Sequence, residues 1–250
     1  MTFDDHRLAY DLAGQTGERL LTLRASGGDE DPARLRKAGD MLAHEYLMAE
    51  LGRLRPQDAV LSEEGKDDKV RLSSRRAWIV DPLDGTREFG EIGREDWAVH
   101  VALWEQGQLT AGAVALPAQQ VTLSTMEPPV VPAAGEAGPI RIVISRSRPP
   151  AFIERVAELT GAELVPLGSA GAKVAAVVRG QVDAYVHAGG QYEWDSAAPV
   201  AVARAAGLHT SRIDGSELTY NQEHPWMPDL LVCRAELAQK LLGAIESASQ

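Results

Sequence analysis

The chain predicts a layered fold of mixed class: an N-terminal α+β half around an antiparallel sheet, followed by a C-terminal half of α/β character. Three observations carry this. Two segments of helical period open the chain, short apolar runs bounded by turn residues continue to about residue 125, and strand-like and helix-like segments alternate thereafter. At 250 residues the chain exceeds what one minimal core needs, so one large layered domain or two halves sharing an interface is expected.

Leu8, Ala9, Leu12, Ala13, Thr16 and Leu20 fall at helical spacing and predict a first amphipathic helix closed near Ser26-Gly27-Gly28. Leu42, Tyr46, Leu47 and Leu51 predict a second over residues 39–54, with Asp40 in its first turn and Pro56 beyond its end. Ala59-Val60-Leu61 and Ala77-Trp78-Ile79-Val80 read as buried strands, each delivering carboxylates at its end: Glu63-Glu64 after the first, Asp81 after the second. Residues 97–104 and 109–116 flank a short polar link and read as a hairpin, and residues 121–125 as a further antiparallel strand. Residues 127–139 hold four of the fourteen prolines and two glycines, which predicts a hinge between a metal-binding subdomain at 1–130 and a substrate-binding subdomain at 139–250. Past it, strands at 140–145, 163–166, 182–187 and 230–233 alternate with helices at 151–159, 172–178, 195–206 and 235–245.

Composition excludes several classes. Acidic residues outnumber basic ones by 36 to 25, giving net charge −11 without a basic stripe, which argues against duplex nucleic acid as a partner. The lone Cys233 excludes an internal disulfide framework and multi-cysteine metal sites. No cationic, apolar leader opens the sequence, and apolar runs such as 111–116 fall far short of the roughly 20 residues that span a bilayer, so no membrane association and a cytoplasmic location are expected. The six histidines show no ligand spacing and are assigned no role, and Trp78, Trp97 and Trp104 read as packing.

Asp81-Pro82-Leu83-Asp84-Gly85-Thr86 is the most informative stretch: a strand runs into two carboxylates and then into a Gly-Thr step. Two carboxylates and the Leu83 carbonyl suit a hard divalent cation, while Asp, Pro and Gly also cluster in ordinary surface turns. Glu63-Glu64 offers a second source of carboxylate or a solvated loop, and Asp195 either a ligand or a helix N-cap. Asp40 alone is as plausible a charge partner of a helix N-terminus as a catalytic group. Asp81 and Asp84 lie three apart, unlike the two-residue spacing of phosphatases that form an aspartyl-phosphate.

Taken in order, LSEE, WIVDPLDGTREF, VISRS, GSAGAK and WDSAA resemble the inositol monophosphatase superfamily of lithium-sensitive phosphatases, along nearly the whole chain. Within it the chain is most similar to the 3′-phosphoadenosine 5′-phosphate phosphatases of bacterial sulfate assimilation. The resemblance implies a sugar-phosphatase fold and a Mg²⁺-dependent hydrolysis of the 3′-phosphate of adenosine 3′,5′-bisphosphate to AMP, with its sulfated analogue PAPS as a further substrate. Phosphatases of inositol monophosphate or fructose 1,6-bisphosphate are the enzymatic alternatives, and a silent metal-dependent binding module the non-enzymatic one. It also implies two or three Mg²⁺ ions, one held by Glu63, Asp81 and the Leu83 carbonyl and another by Asp81, Asp84 and Asp195. Asp40 and Thr86 would relay a proton from the attacking water. Gly85, Thr86, Arg87, Ser145, Arg148, Ser169, Lys173 and Asp195 would contact the substrate. The stretch Leu35 to Asp40 departs from the family pattern S-P-V-T-x-A-D, which puts the support of that relay in question, and Arg148 stands where a histidine is often found. Glu193, beside Trp194, is either another acid near the cations or a solvent-facing residue. The resemblance also allows a homodimer.

Overall fold

The computed structural model describes residues 4–26, 31–133 and 138–249. Two helices, α1 (Asp5–Ser26) and α2 (Pro32–Leu54), precede a five-stranded sheet of β1 (Ala59–Ser62), β2 (Arg76–Asp84), β3 (Ala98–Glu105), β4 (Gln108–Leu116) and β5 (Val121–Ser124) in that spatial order. β1 pairs parallel to β2, and the remainder is an antiparallel meander. A five-residue helix, α3 (Thr86–Gly90), follows β2 directly. The second sheet, of order β7-β6-β8-β10-β9, contains β6 (Arg141–Ser145), β7 (Glu163–Leu167), β8 (Ala184–Tyr192), β9 (His209–Ser211) and β10 (Trp226–Cys233). Its helices are α4 (Ile153–Thr160), α5 (Ala170–Val178), α6 (Glu193–Ala205) and α7 (Ala238–Ala248).

The layers stack α/β/α/β/α. The stripe Leu8, Ala9, Leu12, Ala13 and Leu20 of α1, with Leu35, Ala43, Leu47 and Leu51 of α2, covers one face of the first sheet through Trp78, Val80, Val99 and Val101. Its other face, including Ile79, Ala102 and Val114, packs on α5 and α6, which also cover Tyr185, Leu230 and Val232 of the second sheet. α4 and α7 close the outer face of that sheet over Ile142, Val186 and Leu231. The N-terminal half therefore does not bury its own sheet alone: α5 and α6, from the C-terminal half, are the filling between the two sheets. Gly112 lets α6 approach β4, since a Cβ there would meet Ala201 Cβ at 2.7 Å and Ala198 O at 3.3 Å.

Several boundaries differ from the sequence reading. α2 starts at Pro32, because Asp31 caps it by accepting from the Ala33 N–H (3.1 Å) and proline fits the first helical position. Asp40 thus lies mid-helix, and the inward stripe is Leu35, Gly39, Ala43, Leu47 and Leu51, with Leu42 and Tyr46 at its margin. β8 runs on through Gly189 and Gly190 to Tyr192, past the expected strand end at residue 187, and the three-residue β9 lacks any apolar run that would have announced it. The link between β3 and β4 turns at Gln106 and Gly107, with φ of 50° and 93°, a conformation that suits the right-handed twist of a two-residue hairpin. Gly27 and Gly28, expected to close α1, and part of the expected hinge, 134–137, lie outside the described residues.

Gly112→Val should lower unfolding stability by about 1–3 kcal/mol through overpacking, measured by urea denaturation. Retained stability would mean that α6 does not rest on β4 as described.

Candidate active site

The carboxylates gather where β2 ends. Asp81, Asp84 and Asp195 present oxygens within 4.8 Å of one another, although Asp195 is more than a hundred residues distant in sequence. The parallel pairing of β1 with β2, Ser62 opposite Val80, carries Glu63 to the same sheet end. There its carboxyl interacts with that of Asp81. The ladder between β2 and β3 shifts between Asp81 and Asp84, so that both acids turn toward the cluster where strict alternation would separate a pair three apart. Asp195 belongs to the first turn of α6, not to its cap; from there it accepts the Tyr192 N–H at 2.6 Å.

Asp84 is the most firmly held. Its carboxylate accepts from the Ser169 hydroxyl (2.5 Å), the Ala170 N–H (3.1 Å) and the Gly171 N–H (2.6 Å), at the start of α5. Buried His100 brings Nε2 to 3.2 Å from Asp84 Oδ2 while its Nδ1 donates to Trp194 O at 3.1 Å. Gly171 permits this approach: a Cβ there would lie 2.1 Å from His100 Nε2. Burial opposes ionisation of Asp84, but His100, Ser169 and Lys173 outweigh it and hold the group near 2. Burial likewise opposes charge on His100, and the Asp84 carboxylate overcomes it to raise the imidazole.

The other acids are driven the opposite way. Burial, followed by repulsion from Asp195, raises Glu63 to about 7, and burial with the Asp84 charge raises Asp195 to about 6. Asp81 is fully buried and lies well above the ordinary carboxylate range, first from burial and then from the Glu63 charge. One ionised acid held by protein donors beside three reluctant ones is a site that a divalent cation would relieve.

Asp40 approaches from α2. The Thr86 hydroxyl lies 3.4 Å from Asp40 Oδ1 and 3.1 Å from Leu83 O. Burial, then the Glu64 charge, raises Asp40 to about 6. The stretch that departs from the family pattern supplies its own means of placement, because a Cβ on Gly39 would lie 2.7 Å from Phe89 Cε1 and 2.9 Å from Leu83 Cδ2. Glycine there lets α2 settle onto the loop that carries Thr86.

A cleft of 280 Å³ opens beside the cluster, lined by Asp84, Gly85, Thr86, Arg87, Ser145, Arg148, Ser169, Lys173 and Asp195, among others. The sequence-predicted substrate residues are thus brought together, in differing states. Lys173 is buried, and its ammonium donates to Gly168 O (3.1 Å) and Ser169 O (2.7 Å); burial lowers it to about 8. Arg87 is exposed and stands 4.0 Å from Glu91. Arg148 is exposed and makes no ion pair among the described residues. Glu193 does not face solvent: fully buried, it accepts the Asn221 and Gln222 N–H groups at 2.6 and 2.8 Å and anchors that loop. His100 went unassigned in sequence because it lacks ligand spacing; its partner is a carboxylate sixteen residues away on the adjacent strand.

The raised acids have a stability consequence. Each is protonated and harmless in the folded state below the unfolded carboxylate pKa near 4, and its ionisation costs stability as pH rises through about 6 to 7. In chelator, the melting temperature should therefore fall between pH 5 and pH 7.5 more steeply than in Asp81→Asn, and added divalent cation should restore it at pH 7.5. Parallel slopes for the two proteins would contradict the repulsive cluster.

Comparisons with known proteins agree with this geometry. The chain is 53% identical over 240 residues to a protein of Mycobacterium bovis named 3′-phosphoadenosine 5′-phosphate phosphatase, covering 93% of this chain and 90% of that one. It is 33% identical over 200 residues to the Escherichia coli K12 protein named 3′(2′),5′-bisphosphate nucleotidase CysQ, covering 76% and 81%. Among solved structures, CysQ from Bacteroides thetaiotaomicron superposes with a TM-score of 0.74 at 29% identity, over 92% of this chain and 97% of that one. The family model described as Inositol monophosphatase family matches residues 8–131 and 132–250, and the chain belongs to that family.

Proposed function

We propose that this chain is a Mg²⁺-dependent phosphomonoesterase that removes the 3′-phosphate of adenosine 3′,5′-bisphosphate, or of its sulfated analogue, to give AMP. The observation that carries the reading is the convergence of Asp81, Asp84 and Asp195, with Asp84 and Asp195 lining one cleft together with Thr86, the partner of Asp40, and with Arg148. The relatives' names support the nucleotide as substrate, and the unpaired Arg148 supports a second, unreacting phosphate on it. No helix among the described residues is long and apolar enough to cross a membrane, and a cytoplasmic setting suits the single, buried Cys233.

The donor set is oxygen only, as a hard divalent ion requires: Glu63, Asp81 and Leu83 O would hold one ion, and Asp81, Asp84 and Asp195 another. When bound, such ions lower the pKa of an attacking water and neutralise charge on the leaving 3′-oxygen. The protein's own groups do the rest. Thr86 Oγ1 takes the proton of the water as its own passes to Asp40 Oδ1, whose position near pKa 6 lets it receive a proton at neutral pH and release it again. The Gly85 and Thr86 amides at the start of α3 would bind phosphate oxygens, as would the hydroxyl of Ser145 beside Arg148. Ser169 and Lys173 act behind the surface: the hydroxyl fixes Asp84, and the ammonium ties the turn that carries Ser169.

Phosphate release measured with adenosine 3′,5′-bisphosphate, inositol 1-phosphate and fructose 1,6-bisphosphate should show the highest kcat/KM for the nucleotide, dependence on Mg²⁺, and loss of activity in Asp81→Asn. Preference for inositol phosphate would reverse the assignment, and absence of release with any divalent ion would remove it.

Thr86→Ala should lower kcat by about 10²–10⁴ with little change in KM, as expected for loss of proton transfer. Gly39→Val should lower kcat in the same direction by displacing Asp40, while Thr86→Ser retains most activity. An unchanged kcat in Gly39→Val would show that α2 placement is not what orients the relay.

A further inference from the structure

Two residues beyond Thr86, on α3, the side chain of Glu88 is buried where three segments meet. From the C-terminal half comes Arg146, the residue after β6. Its Nε donates to Glu88 Oε1 at 2.6 Å and its Nη2 to Glu91 Oε1 at 2.9 Å. From the turn before α5 comes Gly168, where a Cβ would lie 2.3 Å from Glu88 Cδ; only glycine admits the carboxyl there. Asp96 pins that glycine by accepting its N–H at 2.6 Å. The third segment is the turn that precedes α3: a Cβ on Gly85 would lie 3.3 Å from Glu88 Oε2.

α3 is anchored within its own half as well. Arg24 of α1 donates to Glu88 O (3.3 Å), Glu91 O (2.6 Å) and Arg94 O (2.8 Å), gripping the end of the short helix. The link from β6 to α4 has no such grip of its own. Among the described residues, the hydroxyls of Ser145 and Ser147 bond only within that link, and Arg148 is exposed without an ion pair. Arg146 therefore carries the link's polar attachment to the N-terminal half. With two carboxylates already on its guanidinium, Arg146 is not free to meet a phosphate, whereas Arg148 is.

We infer that Arg146 is a positioning residue: through Glu88 it fixes the span between the Gly85–Thr86 turn and Arg148, so that one ligand engages both with its two phosphates. The inference rests on the bisphosphate reading above and adds the element that measures the substrate. A ligand with two charged ends gains over either end alone only when both places stand at the right separation, and it loses that gain when the separation drifts. Removing the guanidinium leaves each place intact but frees the link to move, and it leaves the Glu88 carboxylate buried without its partner.

Calorimetric titration of the full-length Asp40→Asn chain in Mg²⁺ tests this apart from turnover, since that variant keeps every metal-facing carboxylate of the cluster and lacks the proton acceptor. Adenosine 3′,5′-bisphosphate should bind at least about tenfold more tightly than either AMP or adenosine 3′-monophosphate. Adding Arg146→Gln should cut that advantage to about twofold or less while changing each monophosphate by less than about threefold, a pattern that general loosening of the fold would not give. Arg146→Lys, which keeps a cation, should retain part of the advantage. Glu88→Gln should reproduce the loss, and the double variant should lose no more than either single; it also keeps the test decisive should Arg146→Gln fail to fold. Absence of the advantage in Asp40→Asn, its survival in Arg146→Gln, monophosphates weakened as much as the bisphosphate, or losses that add in the double variant would each overturn the inference. A parent chain that releases no phosphate, although its Asp40→Asn form shows the advantage and its loss, would overturn the proposed function and leave the span in place.

Discussion

Asp84 is bound by the start of α5 and by His100 of β3, and this ties the two sheets together at the point where the chemistry is placed. A buried carboxylate would ordinarily be expelled or protonated. Here two backbone amides, a serine hydroxyl and an imidazole compensate it, so that one acid in a crowd of four remains ionised. The remaining acids are held above the ordinary carboxylate range by burial and by one another's charge, and a cation would let them ionise more readily. The same contacts that make the folded layers cohere thus create the field that attracts a metal, and stability and function draw on one arrangement of charge.

This arrangement explains why the C-terminal helices lie in the middle of the stack. α5 brings the GSAGAK turn to Asp84, and α6 brings Asp195 beside it. Both helices also bury Ile79, Ala102 and Val114 of the first sheet. The apolar contact fixes their distance from β2, and the polar contact fixes their register. Small residues make that distance short enough: Gly112 beneath Ala198 and Ala201, and Gly171 against His100. A site assembled from both halves in this way depends on the packing between them as much as on its ligating residues.

The strands and helices with strong periodicity were legible in the sequence, and so was the strand-to-acid pattern at Asp81, because burial alternation and turn chemistry are local properties. What was not legible depended on partners distant in the chain. His100 offers no spacing to read, since its meaning comes from Asp84 at the end of the neighbouring strand β2 and from the Trp194 carbonyl. Lys173 is expected in sequence to contact the substrate, whereas its burial and its two backbone carbonyl partners emerge only when α5 is packed. Gly39 reads as a defect in the family pattern before Asp40 and proves to be a point of close approach to Phe89 and Leu83. Glu193 shows the same limit: its partners are amides on the loop before β10.

The central claim is electrostatic: acids from β1, β2 and α6 are held in enforced proximity so that hard cations complete them. Anomalous diffraction from crystals grown with Mn²⁺, a scattering surrogate for Mg²⁺, tests it at the atoms concerned. The account predicts peaks within coordination distance of the carboxylates of Asp81, Asp84 and Asp195. Manganese bound elsewhere, or a map without signal between those three side chains at saturating metal, would contradict it.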